Sequence, residues 1–334
     1  MHTYIIGELS ANHNQSLESA KELISEIKKA GANAIKLQTY TPDTMTLNCD
    51  REEFQIGKGT LWEGRKLYDL YFEAQTPWEW HAELFEWAKQ LGLDCFSTPF
   101  DRSSVDFLEK FNPPAYKIAS FELVDLPLIE YIASKGRPII ISTGMGSLQE
   151  ISEAVEVVQN ANVPLILLKC TSAYPSPPLE MNLRTIPNLA ETFDVPVGLS
   201  DHSMGIAIPI AAVALGACMI EKHVTLNRSN PSPDSAFSLE PNEFKMMVDS
   251  IRTTEECLGS VSYELTEKER SSRCFRRSLF AAKDIQVDER FTSENIRVIR
   301  PGYGLKPKHL KSVLNRRAKS MIRRGTPLAW DLIS

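Results

Sequence analysis

Eight short apolar runs, separated by stretches of helical period, constrain this chain more than any other feature of its sequence. The runs are Tyr4–Glu8, Ala34–Gln38, Asp94–Ser97, Ala115–Ile118, Pro138–Ser142, Leu165–Lys169, Pro196–Leu199 and Met219–His223. Between the first two, Leu17, Ala20, Leu23, Ile24, Ile27 and Ala30 recur at helical spacing, and Gly31 follows as a stop. Val105, Leu108 and Phe111 repeat the pattern after the capping candidate Asp101. Asp125 can cap a helix opening at Leu126-Pro127, because proline is tolerated in a first turn. The Pro-rich link after Lys169 has no clear period. Strand and helix alternating eight times predicts an α/β fold of the (β/α)₈ TIM-barrel type.

The chain has 334 residues, and a barrel of roughly 250 leaves a remainder. After about Leu258 the pattern changes. The expected division is a barrel over 1–262, a polar linker over 263–275 and a small domain over 276–334. That last segment has short β-type runs, Ser278–Ala282 and Ile296–Ile299, and no long helical pattern. The net charge of −6 hides a split: residues 276–334 hold 14 Lys/Arg and 5 Asp/Glu, or +9, leaving 23 and 38, or −15, for the rest. A basic tail suits nucleic acid, or a lid over an anionic site. Its aromatic residues Phe280, Phe291, Tyr303 and Trp330 form no evident stacking platform, so nucleic acid is not expected. No apolar run approaches the ~18 residues of a membrane span. The start reads directly into a strand, so a secretory leader is not expected. The six cysteines contain no C-x-x-C pair and are expected to be buried, reduced thiols of a cytoplasmic protein. Two long segments, 40–76 and 224–240, follow the second and eighth runs, on the face where barrels build active sites.

Polar residues close nearly every run: Glu8, Lys36 and Gln38, Ser97-Thr98, Lys117 with Ser120 and Glu122, Ser142-Thr143, Lys169, Ser200-Asp201-His202, and Glu221-Lys222-His223. Desolvating so many charges without function is costly, which argues for a catalytic mouth. His202 and His223 end adjacent runs; two imidazoles with open positions suit a divalent metal that polarises a carbonyl. Either one alone would read as a hydrogen-bonded core histidine. Lys36 and Lys117, with Thr98, Ser120, Ser142 and Ser200, suit a small, highly charged anion. Gly144-Met145-Gly146 permits close backbone approach, though its ordinary meaning is a tight turn. His81 is expected on a helix face, and His2 and His309 at the surface.

These residues resemble a known family. Glu8-Leu9-Ser10-Ala11-Asn12-His13-Asn14, Lys36-Leu37-Gln38-Thr39, Ser97-Thr98-Pro99-Phe100-Asp101, Lys117-Ile118-Ala119-Ser120, Tyr174-Pro175, Gly198-Leu199-Ser200-Asp201-His202 and Glu221-Lys222-His223 follow one another as in the sialic acid synthases. The tail from Arg276 resembles their antifreeze-like (SAF) domain. The segment from Gly59 to His81 is similar to the pseudaminic branch of that family. Ser172 stands where the neuraminic branch usually has asparagine, which fits a 6-deoxy diacetamido sugar better. The resemblance implies a transferase that condenses phosphoenolpyruvate with an acetamido sugar. It places phosphoenolpyruvate on Lys36, Thr98, Lys117, Ser120, Ser142 and Ser200. It places the sugar on Gln38, Ser172, Tyr174, Asp234 and Phe275, with Arg300 reaching from the partner of a domain-swapped homodimer. A divalent metal (Mn²⁺ or Mg²⁺, with Co²⁺ a further choice) would sit on His202 and His223. Glu8, Glu122 and His202 would be the catalytic groups. The legionaminic and neuraminic branches remain the alternative products. A metal aldolase or 3-deoxy-sugar-phosphate synthase shares the fold, and a non-catalytic glycan- or nucleic-acid-binding protein is the reading from a different class.

Overall fold

The computed structural model describes residues 2–334. Eight parallel strands close into a barrel in chain order: β1 (Tyr4–Glu8), β2 (Ala34–Thr39), β3 (Asp94–Pro99), β4 (Tyr116–Ile118), β5 (Ile139–Ser142), β6 (Leu165–Cys170), β7 (Val197–Asp201) and β8 (Met219–His223). Every run expected from the sequence is a strand. Closure pairs β8 with β1, and sets Glu8 opposite both Lys36 and His223.

The period-two alternation of strands sorts the side chains into two cores. Ile6, Ala34, Phe96, Ala115, Ile140, Leu168 and Met219 fill the barrel interior. Their neighbours in the opposite phase, including Ile5, Ile35, Ile139, Leu167, Leu199 and Ile220, pack outward in the cluster that also contains the helical core residues. Each fully buried Ile or Leu contributes roughly 1.5–3 kcal/mol relative to exposure. Gly198 occupies the interior position of β7; a Cβ there would lie 2.4 Å from the carbonyl oxygen of Met219 and 2.7 Å from Leu168.

The outer helices carry local start and stop signals. In α1 (Leu17–Ala30), Ser16 caps the first turn by accepting from the Ser19 N–H, and Gly31 ends the helix at φ 96°. Between β2 and β3 lie α2 (Pro42–Met45), α3 (Leu67–Ala74) and α4 (His81–Gln90). Then follow α5 (Arg102–Leu108), capped by Asp101, and α6 (Leu126–Ala133), capped by Asp125 with Pro127 in its first turn. α7 (Leu148–Asn160) opens with a Ser147/Glu150 capping box. The Pro-rich link after β6 leads into α8 (Thr185–Phe193), and α9 (Ala207–Ala214) and α10 (Pro241–Leu258) complete the ring.

The chain divides into two compact units after Gly259. The second, Ser260–Ser334, begins with a helix, α11 (Glu267–Ser272), inside the stretch expected as linker. It has a two-stranded antiparallel sheet of β9 (Ser278–Ala281) and β10 (Ile296–Ile299), and a core of its own around Leu279, Phe291, Ile296, Val313 and Leu328. All six cysteines are free, but only Cys95 and Cys170 are buried and Cys257 is exposed, so the expectation of buried thiols holds for two positions. Among the described residues no helix is long and apolar enough to cross a membrane.

Candidate active site

One pleat above the apolar interior, the inward positions change character. Adding two to each interior position gives Glu8, Lys36, Thr98, Lys117, Ser142, Cys170, Ser200 and Glu221, one from every strand. These eight residues make a polar tier at the C-terminal end of the barrel. Lys36 Nζ lies 2.7 Å from Glu8 Oε2, 3.8 Å from Glu221 Oε1 and 3.2 Å from Thr98 Oγ1. Lys117 Nζ donates to Ser142 Oγ at 2.7 Å and lies 3.6 Å from Glu221. Ser200 Oγ donates to the same Glu221 oxygen at 3.1 Å, and Gln38 Nε2 donates to Glu8 at 3.3 Å.

This packing of charge perturbs its members. Burial pushes Glu8 up to about 7, against the pull of Lys36 and with the push of Glu221. Burial acts on Glu221 as well, but Lys117 and Lys36 outweigh it and hold that carboxyl below its usual range. Burial lowers Lys117. Glu122 is raised to about 7 by burial, with Lys117 pulling the other way, and its Oε2 is buried without a hydrogen-bond partner.

The tier floors a cavity of about 500 Å³. Of the residues expected at the site, Lys36, Gln38, Thr98, Lys117, Ser120, Glu122, Ser142, Tyr174, Ser200, His202, His223 and Asp234 line it. Glu8 is fully buried and reaches the site through Lys36 and Gln38. Ser172 does not line it; its Oγ lies 3.8 Å from the Sγ of Cys170, which does. A Cβ on Gly144 would lie 2.2 Å from that same Oγ and 2.7 Å from Ser120 Oγ, so a side chain here would displace both hydroxyls. Phe275 and Arg300 belong to the second unit and are exposed. The strand-end polar residues do not all converge. Lys169, Asp201 and Lys222 are in the outward phase and do not line the cavity; Lys222 and Asp201 form a fully buried ion pair at 2.6 Å. His81 is buried at the start of α4 and bonded to Thr39 rather than to the site.

The two histidine rings stand 5.2 Å apart. His202 Nδ1 donates to the Thr171 carbonyl at 3.2 Å, which in the neutral ring puts the lone pair on Nε2. His223 Nδ1 is buried without a hydrogen-bond partner, 3.9 Å from Asp234 Oδ2. Asp234 is placed by the 224–240 segment, whose ends are clamped by Leu239 N donating to the His223 carbonyl at 2.9 Å and Thr225 N to that of Leu239 at 2.9 Å. Among the described residues no group of three or more His, Cys, Asp or Glu is arranged around one point. A metal here would therefore rest on two imidazoles and take its other ligands from substrate and water, the open arrangement of a catalytic site. The Nε2 lone pair on one ring and the unsatisfied nitrogen on the other fit that role.

Sequence reasoning did not assign site roles to Glu221, Cys170, Tyr40, Trp62, Tyr71 or Phe237, all of which line the cavity. The phase of β8 was a usable signal for Glu221, since it lies two residues from both Met219 and His223. The aromatic residues of 40–76 carried no comparable signal.

The fold and this tier define a (β/α)₈ barrel with two buried lysines set among short hydroxyls beside a pair of histidines. The model of the NeuB family matches residues 23–263 and that of the SAF domain residues 276–334. The chain belongs to the NeuB family. It is 50% identical over 326 residues to a pseudaminic acid synthase of Campylobacter jejuni, covering 97% of this chain and 95% of the relative. A pseudaminic acid synthase of Helicobacter pylori is 48% identical over 98% of this chain and 96% of its own length. Among solved structures, the N-acetylneuraminic acid synthetase of Leptospira borgpetersenii in complex with citrate superposes with a TM-score of 0.73 at 32% identity, covering 81% of this chain and 90% of that one.

Proposed function

We propose that this protein condenses phosphoenolpyruvate with 2,4-diacetamido-2,4,6-trideoxy-L-altrose and water, giving pseudaminic acid and phosphate. The observation that carries the chemistry is the pair of lysines set among short hydroxyls on the barrel's polar tier. The choice of sugar is supported by the 50% identity to a pseudaminic acid synthase over nearly the whole chain.

In this reading Lys36 and Lys117 hold the carboxylate and phosphate of phosphoenolpyruvate, with Thr98, Ser120, Ser142 and Ser200 as short donors. Gln38, Tyr174 and Asp234, which line the cavity, orient the open-chain sugar; Ser172, outside the lining, acts no closer than through Cys170. A divalent cation on His202 and His223, manganese, magnesium or cobalt, would supply polarisation of the aldehyde oxygen. Holding the enol carbon in line with the aldehyde lets the new C–C bond form, and positive charge develops at the carbon bearing the phosphate ester. Water adds to that carbon, a carboxylate takes its proton, and phosphate leaves with C–O cleavage. Glu122 and Glu8, both raised toward neutrality, are suited to these proton transfers. A domain-swapped homodimer would bring Phe275 and Arg300 to the sugar of the neighbouring site. Opposite net charges on the two units, +9 and −15 at the expected boundary, favour such docking. A cytoplasmic location would supply phosphoenolpyruvate.

Phosphate release should require phosphoenolpyruvate, the diacetamido trideoxy sugar and a divalent cation, and should stop with chelator. Preference for N-acetylmannosamine would overturn the product; release without any sugar would overturn the condensation.

Glu122→Gln should separate activity from stability. The variant is expected to lose roughly 10²–10⁴-fold in turnover as a proton-transfer group is removed. The native carboxyl titrates near 7 in the fold, against 4.5 when free. Its contribution to stability is therefore complete below the unfolded value and is lost as pH rises through 7. Glutamine removes that loss, so thermal unfolding at pH 8 should shift upward by an amount equivalent to about 2–3 kcal/mol, with little change at pH 5. Equal shifts at both pH values would refute the raised carboxyl.

A further inference from the structure

α3 is amphipathic, yet its apolar face meets no protein core. Leu67, Leu70, Tyr71 and Ala74 fall at i, i+3, i+4 and i+7, the spacing of a stripe that normally packs inward. None of the four belongs to, or packs against, any of the three hydrophobic clusters. All four line the cavity instead, and Leu70 is only 8% exposed. Met45, at the end of α2, and Ile56 extend the same surface. Ile56 is held there by paired backbone bonds, its N–H to the Arg65 carbonyl at 2.8 Å and Gly64 N–H to its own carbonyl at 2.9 Å. The cavity thus joins a charged floor on the strands to an apolar wall on the 40–76 insertion.

A wall of this kind has no use for phosphoenolpyruvate, which is charged at both ends and already matched by the lysines. It needs an apolar group on the second substrate. Resting on the acceptor proposed above, we infer that the wall formed by Met45, Ile56, Leu67, Leu70 and Tyr71 receives the C6 methyl of the deoxy sugar and so selects 6-deoxy over 6-hydroxy acceptors. The chemistry agrees with the placement. With the aldehyde at the histidines, C6 is the end of the six-carbon chain farthest from the reacting carbon, and the wall belongs to the insertion rather than to the strands. Burying a methyl against Met45, Ile56, Leu67 and Leu70 gains transfer energy, whereas a hydroxyl against those four side chains would lose hydrogen bonds to water without finding a partner among them. Hydrophobic pockets of this type discriminate about 10- to 200-fold per group.

The test compares kcat/KM for the diacetamido trideoxy sugar and its 6-hydroxy analogue in the full-length, metal-supplied enzyme. The native protein should favour the deoxy sugar by roughly 10–100-fold, mostly through KM. Leu70→Asn should reduce that ratio to a few-fold, leaving the KM for phosphoenolpyruvate unchanged, and Leu70→Met should keep it. Met45→Gln, at a half-exposed position, provides the same reading if Leu70→Asn does not fold. Should the deoxy sugar be the preferred substrate while both polar variants retain the full ratio, the wall is not its methyl site and only this inference fails. Should the native enzyme prefer N-acetylmannosamine, the product assignment and this inference fail together. A rise in the KM for phosphoenolpyruvate equal to that for the sugar would mean a general loss of packing, and would also overturn the inference.

Discussion

Replacing His202 or His223 with alanine is expected to lower turnover roughly 10³-fold, the loss that follows when several kcal/mol of carbonyl polarisation is removed. The size follows from the count of ligands. The proposed anchors are two imidazoles, and among the described residues no third His, Cys, Asp or Glu joins them at a common point. Each substitution therefore removes half of the protein's hold. His223 ends β8, His202 directly follows β7, and neither lies in a hydrophobic cluster, so the unfolding transition should stay near its native position. Titration calorimetry with Mn²⁺ on the substrate-free protein provides a readout independent of turnover: the native chain should bind one ion, and either variant should bind it far more weakly. Near-native activity with unchanged metal affinity in either variant would remove that histidine from the site.

Asp201→Ala should destabilise the barrel by about 3–5 kcal/mol, because it leaves the Lys222 ammonium buried without its partner. Both side chains are fully inaccessible, 2.6 Å apart, and Lys222 also donates to the Ser203 carbonyl. Asp201 in turn accepts from the Ser203 N–H at 2.9 Å. The pair cross-links β7 and β8 beside both histidines, on the outward side of the strands. Burial already pushes Lys222 down, so part of the cost in the variant will be met by loss of its proton. Lys222→Met alone strands the opposite charge and should be comparably harmful. The double variant Asp201→Leu/Lys222→Met should recover most of the loss, since an apolar pair of similar volume needs no compensation. Denaturant unfolding followed by barrel tryptophan fluorescence checks all three, and an unaltered midpoint for Asp201→Ala would show the pair to be energetically idle.

Much of the site was legible because strand phase is a local property. Once Ile6, Ala34, Phe96, Ala115, Ile140, Leu168 and Met219 are recognised as one interior layer, the residues two positions on must face the same way, and these include Glu8, Lys36, Thr98, Lys117 and Ser142. The same rule, applied without that layer as an anchor, let Lys169, Asp201 and Lys222 be counted with the mouth although their phase turns them outward. A strand-end residue shows its polarity in the sequence, but its direction depends on which neighbours are inside.

The eight strands, the capped helices between them and a separate small C-terminal unit were determined by the sequence alone. Period, capping residues and turn glycines act over a few positions, and they agree with one another along this chain. Tertiary structure decided what depends on contacts between distant segments. Closure set β8 against β1 and so brought Glu8 opposite His223. The 224–240 segment folded back so that Asp234 lies 3.9 Å from His223. The insertion after β2 turned the apolar face of α3 toward the cavity rather than toward a core. No local pattern specifies these outcomes, because each is selected by packing and hydrogen bonding between segments that meet only when the barrel has closed.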